Sequence, residues 1–168
     1  MKPDSDLYSF LRSKDFVEEE EPASNVDPGS TADSGASSSQ EAVSLDFEDS
    51  DLVEKLCQYS DAELNEVDFG IVKVDNDGTV LFYNEYEARN AGVRPEDAEG
   101  KDFFTQVAPC SNNRIFRGRF KEGMMKGTLD ETFTYTFTYK MSPTLVDVRM
   151  LRDERSNNWL LIRFRYAK

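Results

Sequence analysis

The chain has 168 residues, one domain plus an appendage, with a core of roughly 115–120 residues that is long enough to fold alone. Its formal charge is −13, from 33 acidic against 20 basic side chains, and no basic stripe is present to meet phosphates, which argues against a nucleic-acid partner. There is no histidine, so imidazole metal sites and Cys–His catalysis are excluded.

The acidity is concentrated at the start. Residues 1–50 carry 13 acidic and 3 basic side chains, while the remainder has a net charge of only −3. Glu18 to Glu21 is an acidic run, and Pro22 to Ser44 is rich in Ser, Ala, Asp and Gly. Such a segment cannot bury enough apolar surface to offset its ordering entropy, so residues 1–48 are expected to form a disordered acidic tail. Leu7, Phe10 and Leu11 lie at helical spacing within it, either a chance cluster or a short docking motif.

Residues 49–67 read as an N-terminal cap of two short helices. Asp51 with Glu54, and Ser60 with Glu63, have the spacing of helix-start capping pairs. Leu52, Val53 and Leu56, then Leu64 and Val67, supply one apolar face each. Cys57 falls in the first helix and reads as a packed thiol rather than a functional one.

From residue 68 to 168 the pattern is that of a folded core. Gly70 to Val74 and Thr79 to Tyr83 are strands flanking the turn Asp75-Asn76-Asp77-Gly78. The aspartates have some calcium-loop character, but the required glycine spacing and terminal glutamate are missing, so a hairpin turn is the reading. Asn84 is placed to cap a helical turn. Asp102 to Val107 reads as a short helix, and Asn113 to Met125 as a longer one carrying Phe116, Phe120 and Met124 at i, i+4, i+8. Thr132 to Met141 alternates perfectly, with Phe133, Tyr135, Phe137, Tyr139 and Met141 on one side. Ser142-Pro143-Thr144 breaks it. Val146, Val148 and Met150 alternate with Asp147 and Arg149, and Leu160, Ile162, Phe164 and Tyr166 supply the inner face of a last strand. Two strands, several helices and three strands make an α+β fold, a five-stranded antiparallel sheet with helices on one face. No apolar run approaches the roughly 18 residues of a membrane span, and no secretory leader is visible. Two cysteines of different context make no disulfide framework, and a reducing cytoplasm is the natural setting.

The chemistry centres on Cys110, in Ala108-Pro109-Cys110-Ser111-Asn112. A thiol on a turn just before a helix is expected to be reactive, because a helix N-terminus stabilises the thiolate. Tyr83 and Glu87 are four apart, so on a helical turn the phenol and carboxyl can meet at one spot, whereas Glu85 faces elsewhere. A cysteine at one end and a phenol with a carboxyl at the other suggest a covalently held small molecule.

The runs Leu81-Phe82-Tyr83-Asn84, Glu87, Gly100-Lys101-Asp102-Phe103-Phe104, Val107-Ala108-Pro109-Cys110 and Phe120-Lys121-Glu122-Gly123 resemble the photoactive yellow protein family, blue-light receptors of PAS fold. The resemblance continues through Phe133, Tyr135-Thr136-Phe137, Tyr139, Met141 and Pro143-Thr144, and covers roughly two-thirds of the chain, from about Leu52 to Tyr166 with one deletion near Arg155. It implies that Cys110 carries 4-hydroxycinnamic acid (p-coumaric acid) as a thioester, and that Tyr83 and a protonated Glu87 hold its phenolate. It also implies that Tyr135, Phe137 and Met141 line the pocket, Met141 matching a residue that speeds thermal recovery. Two positions depart from the family: Ala91 stands where threonine is usual, and Val93 where an arginine shields the pocket, with Arg94 adjacent.

On this resemblance the chain is a cytoplasmic, monomeric light sensor that is not an enzyme, acting on an unknown downstream signalling protein without membrane insertion. Light isomerises the chromophore, Glu87 gives up its proton, and the N-terminal cap loosens. One alternative is a PAS module that binds another ligand or only protein partners. Another is an acyl-transfer enzyme with Cys110 as nucleophile, weakened by the missing histidine base.

Overall fold

The computed structural model describes residues 43–138 and 142–165. The expectations placed on residues 1–42, Tyr139, Met141 and Tyr166 lie outside them. Five strands, β1 (Gly70–Val74), β2 (Val80–Tyr83), β3 (Asp130–Phe137), β4 (Thr144–Arg152) and β5 (Asn158–Phe164), pair antiparallel in the order β2-β1-β5-β4-β3. The PAS fold expected from the sequence is therefore present.

The hairpin between β1 and β2 forms for local reasons. Asp75 Oδ1 accepts from the amides of Asp77 and Thr79 at 2.9 and 2.8 Å, an Asx turn. Gly78, at φ +97°, takes the left-handed position that an L side chain resists.

Between the second and third strands run α3 (Glu85–Ala91), α4 (Pro95–Ala98), a π turn (Phe103–Val107), a 3₁₀ turn (Pro109–Ser111) and α5 (Arg117–Lys126). They bury Phe103, Phe104, Phe116 and Phe120 against Val72, Val74, Val146, Val148, Met150, Leu160 and Ile162 on one face of the sheet. Phe116 is the hub, with ring centroids 5.4–6.1 Å from those of Phe103, Phe104, Phe133, Tyr135 and Phe137. The expected helix from Asn113 begins only at Arg117, because Asn113 Oδ1 takes the amides of Ile115 and Phe116 into a separate turn.

The other face is covered too. The N-terminal segment with α1 (Leu52–Leu56) and α2 (Asp61–Leu64) packs Leu45, Phe47, Leu52, Leu56 and Leu64 over Ile71, Phe82, Leu151, Trp159 and Leu161. Two expectations change here. The boundary of the tail at residue 48 is too late, since Leu45 and Phe47 already belong to the core. Asp51 makes no side-chain cap; its carboxylate pairs with Lys55 at 3.4 Å instead, whereas Ser60 and Glu63 form the capping box.

This cover explains why Asp147 and Arg149 of β4 are buried although they alternate with valines. Arg149 Nη1 donates to the carbonyls of Phe47 and Asp49 at 2.8 and 2.7 Å. Asp147 accepts from Arg165, Arg163 and Thr134, and its carboxyl is held below the usual range chiefly by Arg165. Cys57, just past α1, donates to Asp153 at 3.3 Å, and burial pushes its thiol up to about 11. Among the described residues no helix is long and apolar enough to cross a membrane.

One side chain joins the cap to both β1 and α3. Asn84, fully buried, accepts from the amides of Ile71 and Glu87 at 2.9 and 3.1 Å and donates to the carbonyls of Leu64 and Phe69 at 3.1 and 3.0 Å. Asn84→Ala strips partners from four backbone groups, one of them the N-cap amide of Glu87, and should cost about 2–4 kcal/mol. Asn65→Ala, which removes only an exposed bond to the Glu85 amide, should cost under about 1 kcal/mol. Urea unfolding checks both; equal losses would show that the Asn84 junction carries no special weight.

Candidate functional site

The site lies where the end of β2, the first turns of α3, the π turn and the 3₁₀ turn converge on the helical face of the sheet. Tyr83, Glu87, Ala91, Val93, Phe103, Val107, Ala108, Cys110 and Phe137 line one cavity. The cavity holds about 20 Å³, roughly the space of one water molecule. Its walls are apolar except at three points: the Tyr83 hydroxyl, the Glu87 carboxyl and the Cys110 thiol.

Glu87 reaches this position because Asn84 ends β2 and caps α3. The chain turns between Tyr83 and Glu87, so the pair shares a cavity as a strand end and a helix start, not as two residues of one helix. Glu87 is only 3% exposed, and its Oε2 has no hydrogen-bond partner. Burial pushes its pKa up to about 8 from an ordinary 4.5, because a charged carboxylate is poorly solvated there. At pH 7 the group is a neutral acid and a hydrogen-bond donor. Tyr83 is also buried, and its phenol is pushed well above the usual range, first by desolvation and then by the Glu87 charge. Glu85 is exposed, with its amide bonded to Asn65.

Cys110 occupies the 3₁₀ turn and is a free, partly buried thiol. Its turn is held by its own carbonyl, which accepts from Asn113 Nδ2 at 2.9 Å and from the Tyr135 hydroxyl at 2.6 Å. Asn113 also donates to that hydroxyl. The expected helix N-terminus beside the thiol is not there: α5 starts seven residues later, at Arg117. A helix dipole acts over about one turn, so it does not act on Cys110. Tyr135, expected among the lining residues, instead stands behind Cys110 and orients its turn, while Phe137 lines the cavity. Phe103, Val107 and Ala108 complete the walls; they were visible in the sequence only as members of matching runs.

The PAS fold model matches residues 58–157. The photoactive yellow protein of Rhodothalassium salexigens is 36% identical over 120 residues, covering 71% of this chain and 96% of that protein. The photoactive yellow protein of Halochromatium salexigens is 43% identical over 104 residues, 62% of this chain and 83% of the relative. The chain belongs to the photoactive yellow protein family. A solved photoactive yellow protein domain, from the sensor histidine kinase Ppr of Rhodospirillum centenum, superposes with a TM-score of 0.63 at 36% identity, over 66% of this chain and 97% of the domain.

Ala91 and Val93, which the sequence resemblance sets against threonine and arginine, both line the cavity. Arg94 does not replace the arginine, being 71% exposed and paired with Asp97 at 2.8 Å and Glu96 at 3.2 Å. Val93 and Val107 also line a neighbouring polar groove of about 290 Å³ with Asp97, Lys101 and Gln106.

The raised pKa of Glu87 couples its titration to stability. Unfolded, the carboxyl titrates near 4.5; folded, near 8. Between those values the unfolded chain is ionised while the native chain keeps its proton. Stability therefore falls as pH rises through that window, by at most about 1.4 kcal/mol per pH unit. In chromophore-free protein Glu87→Gln should remove this dependence, so that wild type loses ground to the variant by about 3 kcal/mol between pH 5 and pH 8. Urea unfolding across that range gives the two curves; parallel curves would show that Glu87 does not titrate abnormally.

Proposed function

We propose that this chain is a blue-light photoreceptor that holds a 4-hydroxycinnamoyl chromophore as a thioester on Cys110, with its phenolate oxygen between Tyr83 and Glu87. The observation that carries the reading is the Glu87 carboxyl: buried, unpartnered at Oε2 and with its pKa pushed up by burial, in a pocket whose other polar groups are the Tyr83 hydroxyl and the Cys110 thiol. A donor in that state is stabilised by an anionic acceptor that replaces water. A phenolate satisfies it, and the Tyr83 hydroxyl supplies a second donor. Burying an anion costs several kcal/mol unless hydrogen bonds compensate, and these two donors are the compensation. The photoactive yellow protein family is a sensor family rather than an enzyme family, which fits a site with one thiol and no general base beside it.

The residues fit the group at both ends. Cys110 Sγ would attack the acyl carbon of an activated acid, the C–S bond forming as the bond to the leaving group breaks, and the thiol proton would depart with that group. Asn113 and Tyr135 fix the carbonyl of Cys110, and so the direction in which the sulfur points into the cavity. Val93, Val107, Phe103 and Phe137 exclude water along the length. Because the cavity holds only about 20 Å³, loading requires these side chains to move apart, and Val93 and Val107 are the ones that border the polar groove.

When bound, the chromophore would supply light absorption and a trans-to-cis isomerisation. Tyr83 and Glu87 would hold its phenolate oxygen in the dark, and Glu87 would then give its proton to that oxygen and remain as a buried carboxylate. A charge left unpaired in such a place costs several kcal/mol, a large share of the ~5–15 kcal/mol that stabilises a domain. Glu87 shares its helix cap with Asn84, whose amide holds the Leu64 and Phe69 carbonyls. Displacing the first turn of α3 therefore loosens the junction with α2, and the cap formed by residues 49–67 is the element released. The similar solved domain belongs to a sensor histidine kinase, which supports an output through contact with a downstream signalling protein.

Protein loaded with activated p-coumarate should turn yellow and carry one thioester-linked adduct on the peptide containing Cys110. Cys110→Ala should fold but bind no pigment after denaturing gel filtration, and Cys57→Ala should be spectrally silent. Glu87→Gln should red-shift the dark absorption, since a weaker donor leaves more charge on the phenolate. An adduct elsewhere, or stoichiometric pigment retained by Cys110→Ala, overturns the attachment.

A further inference from the structure

The Glu87 carboxyl occupies the space where a side chain of residue 70 would begin. Gly70 opens β1 and faces the helical layer on the same side as Val72 and Val74. It is paired with Ile162 of β5 and has no left-handed backbone angle, so conformation does not require glycine there. A glycine inside a strand weakens it and often marks a close approach by another group. Here the approaching group is identified. A β-carbon on Gly70 would overlap Glu87 Oε2 outright, and would stand 3.0 Å from Glu87 Cδ and 3.2 Å from the Ile162 carbonyl oxygen. Gly78 and Gly123, by contrast, make room for the apolar side chains of Phe104 and Leu129.

We propose that Gly70 is a positioning residue for Glu87: its missing β-carbon is the niche that seats the carboxyl against the sheet, and this sets the depth of the pocket's phenol-binding end. The second half of this inference rests on the phenol-binding reading of the site; the first does not. Pairing with Ile162 of β5 holds the floor of the niche, so a methyl group there asks only a few tenths of an ångström of the Ile162 carbonyl and displaces chiefly the flexible carboxyl. The carboxyl is displaced towards the cavity it shares with Tyr83, the other titratable group at that end; Cys110 is the titratable group at the far end. The space a hydroxyaryl ligand needs is thereby reduced, and the donor distance that ligand meets is changed. Gly70 thus selects for ligands whose oxygen reaches the carboxyl in its seated position.

The test follows the Glu87 carboxyl carbon by NMR titration in chromophore-free protein carrying ¹³C-labelled glutamate. Wild type should titrate near pH 8, and Gly70→Ala should move that midpoint by roughly one pH unit or more, a change of environment large enough to resolve. Gly118→Ala, whose β-carbon would meet only the Arg114 side chain and the Asn113 carbonyl at 3.5 Å or beyond, should leave it in place. In pigment-loaded protein, Gly70→Ala should shift the absorption band, and should add no further shift in a Glu87→Ala background, where no carboxyl remains to be displaced. Should Gly70→Ala not fold, Gly70→Ala with Glu87→Ala must fold, because the overlap is gone. An unmoved midpoint in folded Gly70→Ala, equal spectral shifts with and without the carboxyl, or an unfolded double variant overturns the proposal. A moved midpoint in a chain that takes up no pigment keeps the positioning role and defeats the pigment reading alone.

Discussion

A carboxyl group sealed among apolar side chains, with one oxygen unpaired, is the constraint around which this domain is organised. Left in water Glu87 would ionise; buried between the end of β2 and the first turn of α3 it stays protonated at neutral pH. Every neighbouring feature serves to keep it there. Asn84 ties down its amide, Gly70 vacates the volume its carboxyl fills, and Tyr83 stands beside it as a second donor. Such a group is destabilising in isolation and useful only against a ligand that needs a proton donor away from water.

The same constraint links the pocket to the opposite face of the sheet. The cap does not touch the cavity, yet its second helix is bonded through the Leu64 carbonyl to the side chain that caps α3. Elsewhere the cap is held by apolar packing and by Arg149, which spans to the carbonyls of Phe47 and Asp49. The buried leucines anchor these short helices more firmly than their length suggests. Under the proposed function, release of the cap would depend on this polar junction giving way, rather than on the cap being weakly packed.

Much of this was legible in the sequence, and the gaps have physical causes. The alternation of Phe133, Tyr135 and Phe137 and the Asp75–Gly78 turn are local signals, and the strands followed from them. Leu45 and Phe47 were passed over because the short alternation of Val43, Leu45 and Phe47 adjoins a long Ser-rich and acidic stretch, and only the sheet face beneath them makes them core. Asp147 and Arg149 had the alternation of a solvent face, which the cap then buried. At the site, Tyr83, Glu87 and Cys110 were found from residue chemistry and motif together. Tyr135 was set among the lining residues by the resemblance; in the structure its hydroxyl donates to the Cys110 carbonyl and it is not among the residues that line the cavity. Gly70 left no trace at all: a glycine in a strand has meaning only once the atom opposite it is known.

The account turns on whether Glu87 holds the proton in the dark and gives it up in the light. The light-minus-dark infrared difference spectrum of pigment-loaded protein reads this directly, through the C=O stretch of a protonated carboxyl. The account predicts loss of that band on illumination in wild type and its absence from the spectrum of Glu87→Gln. A wild-type spectrum without the loss, or a Glu87→Gln spectrum that retains it, would contradict the assignment of Glu87 as the donor.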